Sequence, residues 1–238
     1  MIRWLQWLRR PALDTRLHTR LNAWRHLAPV SNTTSIDEAR FILVDVESTG
    51  LDPSRDHLLA IGAVPIAQGR LITGQGFEKI LEGEEFGPRK TILLHGITPT
   101  AVARGEPPQE VLIDFLEYTG KYPLVAFHAE FDEAMLGLAL RKHLGVRQPN
   151  HWIDLAWLAP ALFPELGLRQ QPLDAWLDIF NLRAHERHRA LDDCLVTGEL
   201  LLVLLDRARK RGLQSVNDLI ALEKIERQSS QSGLYGGM

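Results

Sequence analysis

Carboxylates from three segments and one histidine stand where a hydrolytic metal site could be assembled. Asp45 and Glu47 follow the apolar run Phe41-Ile42-Leu43-Val44, which is rich in β-formers. Side chains two apart in a strand share a face, so both carboxylates point the same way. Two like charges on an apolar strand are costly unless a cation sits on them, although an exposed strand end would also accommodate them. Asp132 lies near the start of a predicted helix after the apolar run Leu124–Phe127, and Asp192 and Asp193 open another. A helix N-terminus tolerates acids through its exposed N–H groups. That accounts for Asp132 or Asp193 singly, but not for Asp45 together with Glu47. Two hard divalent cations about 4 Å apart need several oxygen ligands and leave positions for phosphate and water. The three segments offer five carboxylates, and four are a sensible minimum for that need. His188 stands five residues before Asp193. Its ordinary pKa, near about 6.5, suits it to take a proton from an attacking water.

The elements that would position these groups follow from hydrophobic periodicity. Arg40 opens a strand that ends in the two acids, Leu58–Ile66 reads as a second strand and Leu71–Ile80 as a third, with turn-like Asp52-Pro53 and Gln68-Gly69 between them. Glu106–Tyr118 has helical spacing with Pro107 and Pro108 near its start. A short buried strand at Leu124–Phe127, a helix at Phe131–Leu144, a strand at His151–Asp154 and a long helix at Leu191–Arg209 complete the pattern. Strands first, then strands alternating with helices, predict an α/β sheet covered by helices.

The rest of the chain divides around that core. Residues 1–28 predict an amphipathic helical extension carrying six arginines, broken near Pro11, and residues 29–39 a polar linker. The main domain is expected over 40–212, with a short helix and a flexible tail over 213–238. The chain has 238 residues, 45% hydrophobic and 24% charged, enough for a full core. A formal net charge of -3 excludes general electrostatic attraction to nucleic acid, so any such contact must be local. Cys194 is the only cysteine and reads as a small core residue. No run is apolar enough to predict a membrane span or a signal peptide, which makes a cytoplasmic location the expectation.

With these motifs in hand, the sequence resembles the DnaQ-like exonucleases of the DEDDh type, which include the proofreading epsilon subunit of bacterial DNA polymerase III. Three segments carry the resemblance over about residues 40–206: Asp45-Val46-Glu47-Ser48-Thr49-Gly50-Leu51-Asp52, Val125-Ala126-Phe127-His128-Ala129-Glu130-Phe131-Asp132, and His188-Arg189-Ala190-Leu191-Asp192-Asp193. His95-Gly96-Ile97-Thr98 is similar to a further loop of the family. The resemblance implies a ribonuclease H-like fold with a mixed five-stranded sheet flanked by helices. It implies 3′–5′ hydrolysis of terminal nucleotides with two Mg²⁺ or Mn²⁺ ions, releasing nucleoside monophosphates.

By the same match Asp45 would touch both ions, and Glu47 and Asp193 would hold the ion that activates water. Asp132 would serve the second ion, and His188 would be the general base. The family spacing selects Asp193 over Asp192. Ser48, Thr49, Gly50, Leu51, His128 and Arg189 are the expected substrate contacts, Leu51 pressing on the terminal base. Arg183, His185, Arg187, His188 and Arg189 form a basic run suited to phosphate. Many relatives carry His-Asn ahead of their Ala-x-Phe-Asp segment, where this chain has Phe127-His128. DNA 3′ ends are the expected partner ahead of RNA, with a DNA polymerase or replication partner open. An inactive binding module would be expected to lack one of the ligands, and none is missing.

Overall fold

The computed structural model describes residues 12–83, 92, 93, 95–169, 171–183 and 189–235, with side chains to Ser230. Strands β1 (Arg40–Ser48), β2 (Leu58–Ala67), β3 (Arg70–Leu71), β4 (Phe77–Ile80), β5 (Leu124–Ala126) and β6 (Trp152–Asp154) form one mixed sheet. Its order is β3-β2-β1-β5-β6, and β4 also pairs with β2. β1 runs antiparallel to β2 and parallel to β5, which is parallel to β6. The sequence predicts five strands; six are described. The expected third strand breaks at a 3-10 turn, Thr73–Gln75, between β3 and β4. Gly74 lies within that turn and Gly76 follows it, and glycine weakens a strand interior.

Alternation along β1 divides the core in two. Phe41 and Leu43 join a cluster with helices α5 (Leu155–Leu162), α6 (Leu173–Ile179) and α7 (Ala190–Lys210). Ile42, Val44 and Val46 join another with α1 (Thr15–Arg25), α3 (Pro108–Thr119) and α4 (Ala129–Leu144). A short α2 (Pro99–Ala103) precedes α3. Asp45 and Glu47 therefore continue the Phe41–Leu43 face, toward α7.

Helix α1 docks rather than trailing away. Leu17, Leu21 and Trp24 are buried, and Arg20 pairs with Asp114 at 2.5 Å and with Glu110 and Glu117 on α3. Three of the arginines read in the extension, Arg3, Arg9 and Arg10, lie outside the described residues, as does Pro11. The segment expected as a linker also contributes to the core through Ile36 and Ala39.

The C-terminal helix α8 (Val216–Tyr235) is longer than the short helix predicted, and Val216 and Leu219 are buried in the α5–α7 core. Burying one helical face supplies stability that propensity alone would not. Among the described residues, no helix is long and apolar enough to cross a membrane.

Candidate metal centre

The C-terminal end of β1 meets the N-terminal end of α7. One carboxylate oxygen from each of Asp45, Glu47 and Asp193 lies within 4.8 Å of the others. An all-carboxylate set suits a hard cation of the Mg²⁺ or Mn²⁺ kind, and the three acids can hold one divalent ion. Asp192 is outside this group; Arg189 approaches it at 3.7 Å and reaches Glu78 at 3.9 Å. Successive helical residues point about 100° apart, so Asp193 and Asp192 cannot face one point together.

The close meeting of β2 and α7 depends on a residue not singled out in the sequence. Gly62 stands opposite Asp45 in the β1–β2 register. A Cβ there would lie 2.3 Å from the Ala190 carbonyl carbon and 2.5 Å from the Leu191 nitrogen. Both are backbone atoms and cannot swing aside as a side chain can. Glycine in a strand interior is the available signal for such an approach, and Gly62 interrupts the apolar run of β2.

Asp132 lies beside the three acids but is not one of the group. Its Oδ1 accepts from the Val46 N–H at 3.0 Å, and its carboxyl is buried. Burial raises its pKa, against the pull of that N–H. Burial, then the charges of Asp193 and Asp132, push Glu47 up to about 8. Cys194 lies in the core beneath them. Burial, then Asp45, Asp132 and Asp193, raise its thiol well above the usual value, so it stays protonated and unreactive.

The raised Glu47 has a measurable sign. Its ordinary pKa is about 4.3, so the folded, metal-free protein holds a proton over a range where the unfolded chain has released it. The cost of ionising it in the folded state is absent below about 4.3, grows with pH and is complete above about 8. A bound cation must displace that proton. The metal-free melting temperature should therefore fall as pH rises across this window, and saturating Mn²⁺ should flatten the slope. Calorimetry in buffers of different ionisation heat should detect proton release on Mn²⁺ binding near neutral pH. A flat metal-free profile with no proton release would refute the assignment.

The turn after β1 is held by its own side chains. Thr49 Oγ1 donates to Asp56 Oδ1 at 2.8 Å and accepts from the His57 N–H at 2.9 Å, and Ser48 Oγ donates to the Gly50 carbonyl at 2.6 Å. The hydroxyls of Ser48 and Thr49 thus serve the turn, and Asp56 is a support that sequence reasoning missed. Leu51 projects from this turn, 88% exposed.

His128 is also exposed, at the junction of β5 and α4, with φ 64° and ψ 48°. That left-handed backbone is strained for most residues, but His, Asn and Asp are enriched there. That tolerance gives a backbone reason why a histidine can stand at this turn. His185, Arg187 and His188 lie outside the described residues.

Known proteins resemble this chain in sequence and in fold. The RNase_T family profile, described as Exonuclease, matches residues 42–201. The DNA polymerase III PolC-type protein of Thermotoga maritima is 30% identical over 194 residues, spanning 82% of this chain and 14% of that one. The DNA polymerase III subunit epsilon of Aquifex aeolicus is 27% identical over 191 residues, spanning 80% of this chain and 91% of that one. The chain thus covers only a small part of the PolC-type relative.

Among solved structures, Exonuclease X in complex with 5′ overhanging duplex DNA has a TM-score of 0.59 at 23% identity. The likeness spans 77% of this chain and 99% of that one, and it is one of fold. The matched span runs from β1 into α7 and encloses every acid discussed above, and on that ground the chain belongs to the DEDDh, RNase T-like exonuclease family, related to PolC and the polymerase III epsilon subunit.

Proposed function

We propose that this protein is a metal-dependent 3′–5′ exonuclease that hydrolyses the terminal phosphodiester of DNA and releases nucleoside 5′-monophosphates. The observation that carries this reading is the convergence of Asp45, Glu47 and Asp193 at the meeting of β1 and α7. Two ions are the finer reading. Asp45 would be shared, and Glu47 and Asp193 would complete the first position. Asp132 would serve the second through Oδ2 or its water shell, since Oδ1 already accepts from Val46. When bound, such cations offset charge on the phosphoryl oxygens and favour ionisation of water. His188 would take the proton from the attacking water. Leu51 and His128 would bound the terminal nucleotide, with the backbone of Ser48, Thr49 and Gly50 shaping the turn beneath it. Arg189 would contact phosphate. A polymerase or replication partner and a cytoplasmic site of action extend this reading, in keeping with the polymerase subunits among the relatives.

This arrangement favours a single-stranded or frayed 3′ end with little base preference. An exposed leucine can pack on any base face, whereas a paired end must first lose pairing and stacking, at roughly a few kcal/mol. The net charge of -3 opposes tight tracking along a duplex, so turnover should be mostly distributive and fall with added salt. Initial rates on 5′-labelled single-stranded, blunt duplex and RNA oligomers test this under one metal and salt condition. Equal or faster trimming of the blunt duplex would refute the preference. A much faster rate on RNA would reassign the enzyme as an exoribonuclease, and no turnover on any oligomer would point to an inactive binding module.

A further inference from the structure

Asp154, Arg227 and the backbone of His128 form a connected brace behind the start of α4. Asp154 ends β6 and is buried. Its Oδ1 accepts from two N–H groups, those of His128 and Ala156, each at 2.9 Å. The Ala156 bond caps α5. The His128 bond fixes the left-handed residue at which the chain turns from β5 into α4. Arg227 reaches the same place from α8. Its Nη2 lies 3.6 Å from Asp154 Oδ2 and 2.9 Å from Glu223 of its own helix. Its Nη1 lies 2.9 Å from Glu130 in the first turn of α4. The planar guanidinium can hold several carboxylates at fixed angles, as a lysine ammonium cannot. Helix α8 lies beyond residues 42–201 matched by the family profile.

We infer that Arg227 and Asp154 are positioning residues that set the start of α4, and through it the place of Asp132. Asp132 stands four residues after His128, about one helical turn. Starting α4 one residue early or late would swing its carboxylate by about 100° and take it from the Val46 N–H. Neither residue belongs to the Asp45–Glu47–Asp193 group. The inference deepens the exonuclease reading and rests on it for its effect on turnover.

The test uses the full chain and the variants Arg227→Met, Arg227→Lys and Asp154→Asn. Three quantities are read: kcat and KM on a single-stranded 5′-labelled oligomer, Mn²⁺ affinity by calorimetry, and the melting temperature. Misplacing a catalytic group by a fraction of an ångström to an ångström costs large factors in rate. Arg227→Met should lower kcat roughly ten-fold with KM within roughly two-fold, and should weaken Mn²⁺ binding. Arg227→Lys should recover part of the loss, since it restores the charge but not the fork. Asp154→Asn keeps an oxygen for both N–H groups but loses the ion pair, and should fall between Arg227→Met and wild type.

A folded Arg227→Met protein with wild-type kcat and Mn²⁺ affinity overturns the inference. If Arg227→Met does not fold, wild-type values in Asp154→Asn overturn it equally. Absence of turnover in the wild type would sink the exonuclease reading, and Mn²⁺ affinity would still decide the positioning role.

Discussion

Replacing Asp45 by Asn should reduce turnover in Mg²⁺ by about 10³-fold or more while the protein stays folded. Metal stabilisation of a phosphoryl transition state is worth several kcal/mol, and each 1.36 kcal/mol is about ten-fold in rate. Asp45 stands at the centre of that stabilisation in the proposed mechanism, and its neighbours cannot replace it. Glu47 shares its strand face, and Asp193 approaches from α7. An amide keeps the shape and one acceptor oxygen but removes the charge that balances the cations. Mn²⁺ affinity should fall together with the rate.

Folding should not suffer. Asp45, Glu47 and Asp193 bring ligand oxygens within 4.8 Å of one another, and Asn removes one of the negative charges that oppose there in the metal-free state. The metal-free melting temperature should be unchanged or raised. Rates under saturating Mg²⁺, with melting curves in chelator, make the comparison. Wild-type-like turnover would remove the site assignment, and a strongly lowered metal-free melting temperature would contradict the account of repulsion.

What could be read from sequence is local. The Asp45-x-Glu47 spacing follows from strand alternation, and Phe41 and Leu43 on the same face fix which side of the sheet the acids occupy. The α7 stripe places Asp193 in the first turn of a buried helix. What escaped depends on contacts between segments distant in the chain. Gly62 is an unremarked strand glycine until Ala190 and Leu191 are found against it. Asp154 looks like an ordinary strand-end acid, and its partners lie 26 residues before it, at His128, and on α8. The length of α8 was obscured by a polar, glycine- and serine-containing tail whose composition argues against a helix. Packing on α5 and the Glu223–Arg227 pair, one turn apart, favour it. His128 illustrates the converse: the sequence comparison raises a question about donor chemistry, and the backbone angle supplies a conformational reason for the residue type.

Replacing His188 by Ala should lower the chemical step by roughly 100-fold, at the lower end of the usual range for loss of a general base. The expectation follows from its place in the chain. It immediately precedes Arg189, the residue capping α7, and stands five residues before Asp193. Mn²⁺ affinity should change little, because Asp45, Glu47 and Asp193 form their group without it. The pH profile separates this role from a structural one. A base of pKa near about 6.5 gives a rate that falls on the acid side as the imidazole gains a proton, and that limb should vanish in the variant. Glu47 titrates in an overlapping range when metal-free, about 8, so profiles must be taken at saturating Mn²⁺, which displaces its proton. Under those conditions, an unchanged rate and an unchanged acid limb in His188→Ala would assign proton transfer to another group.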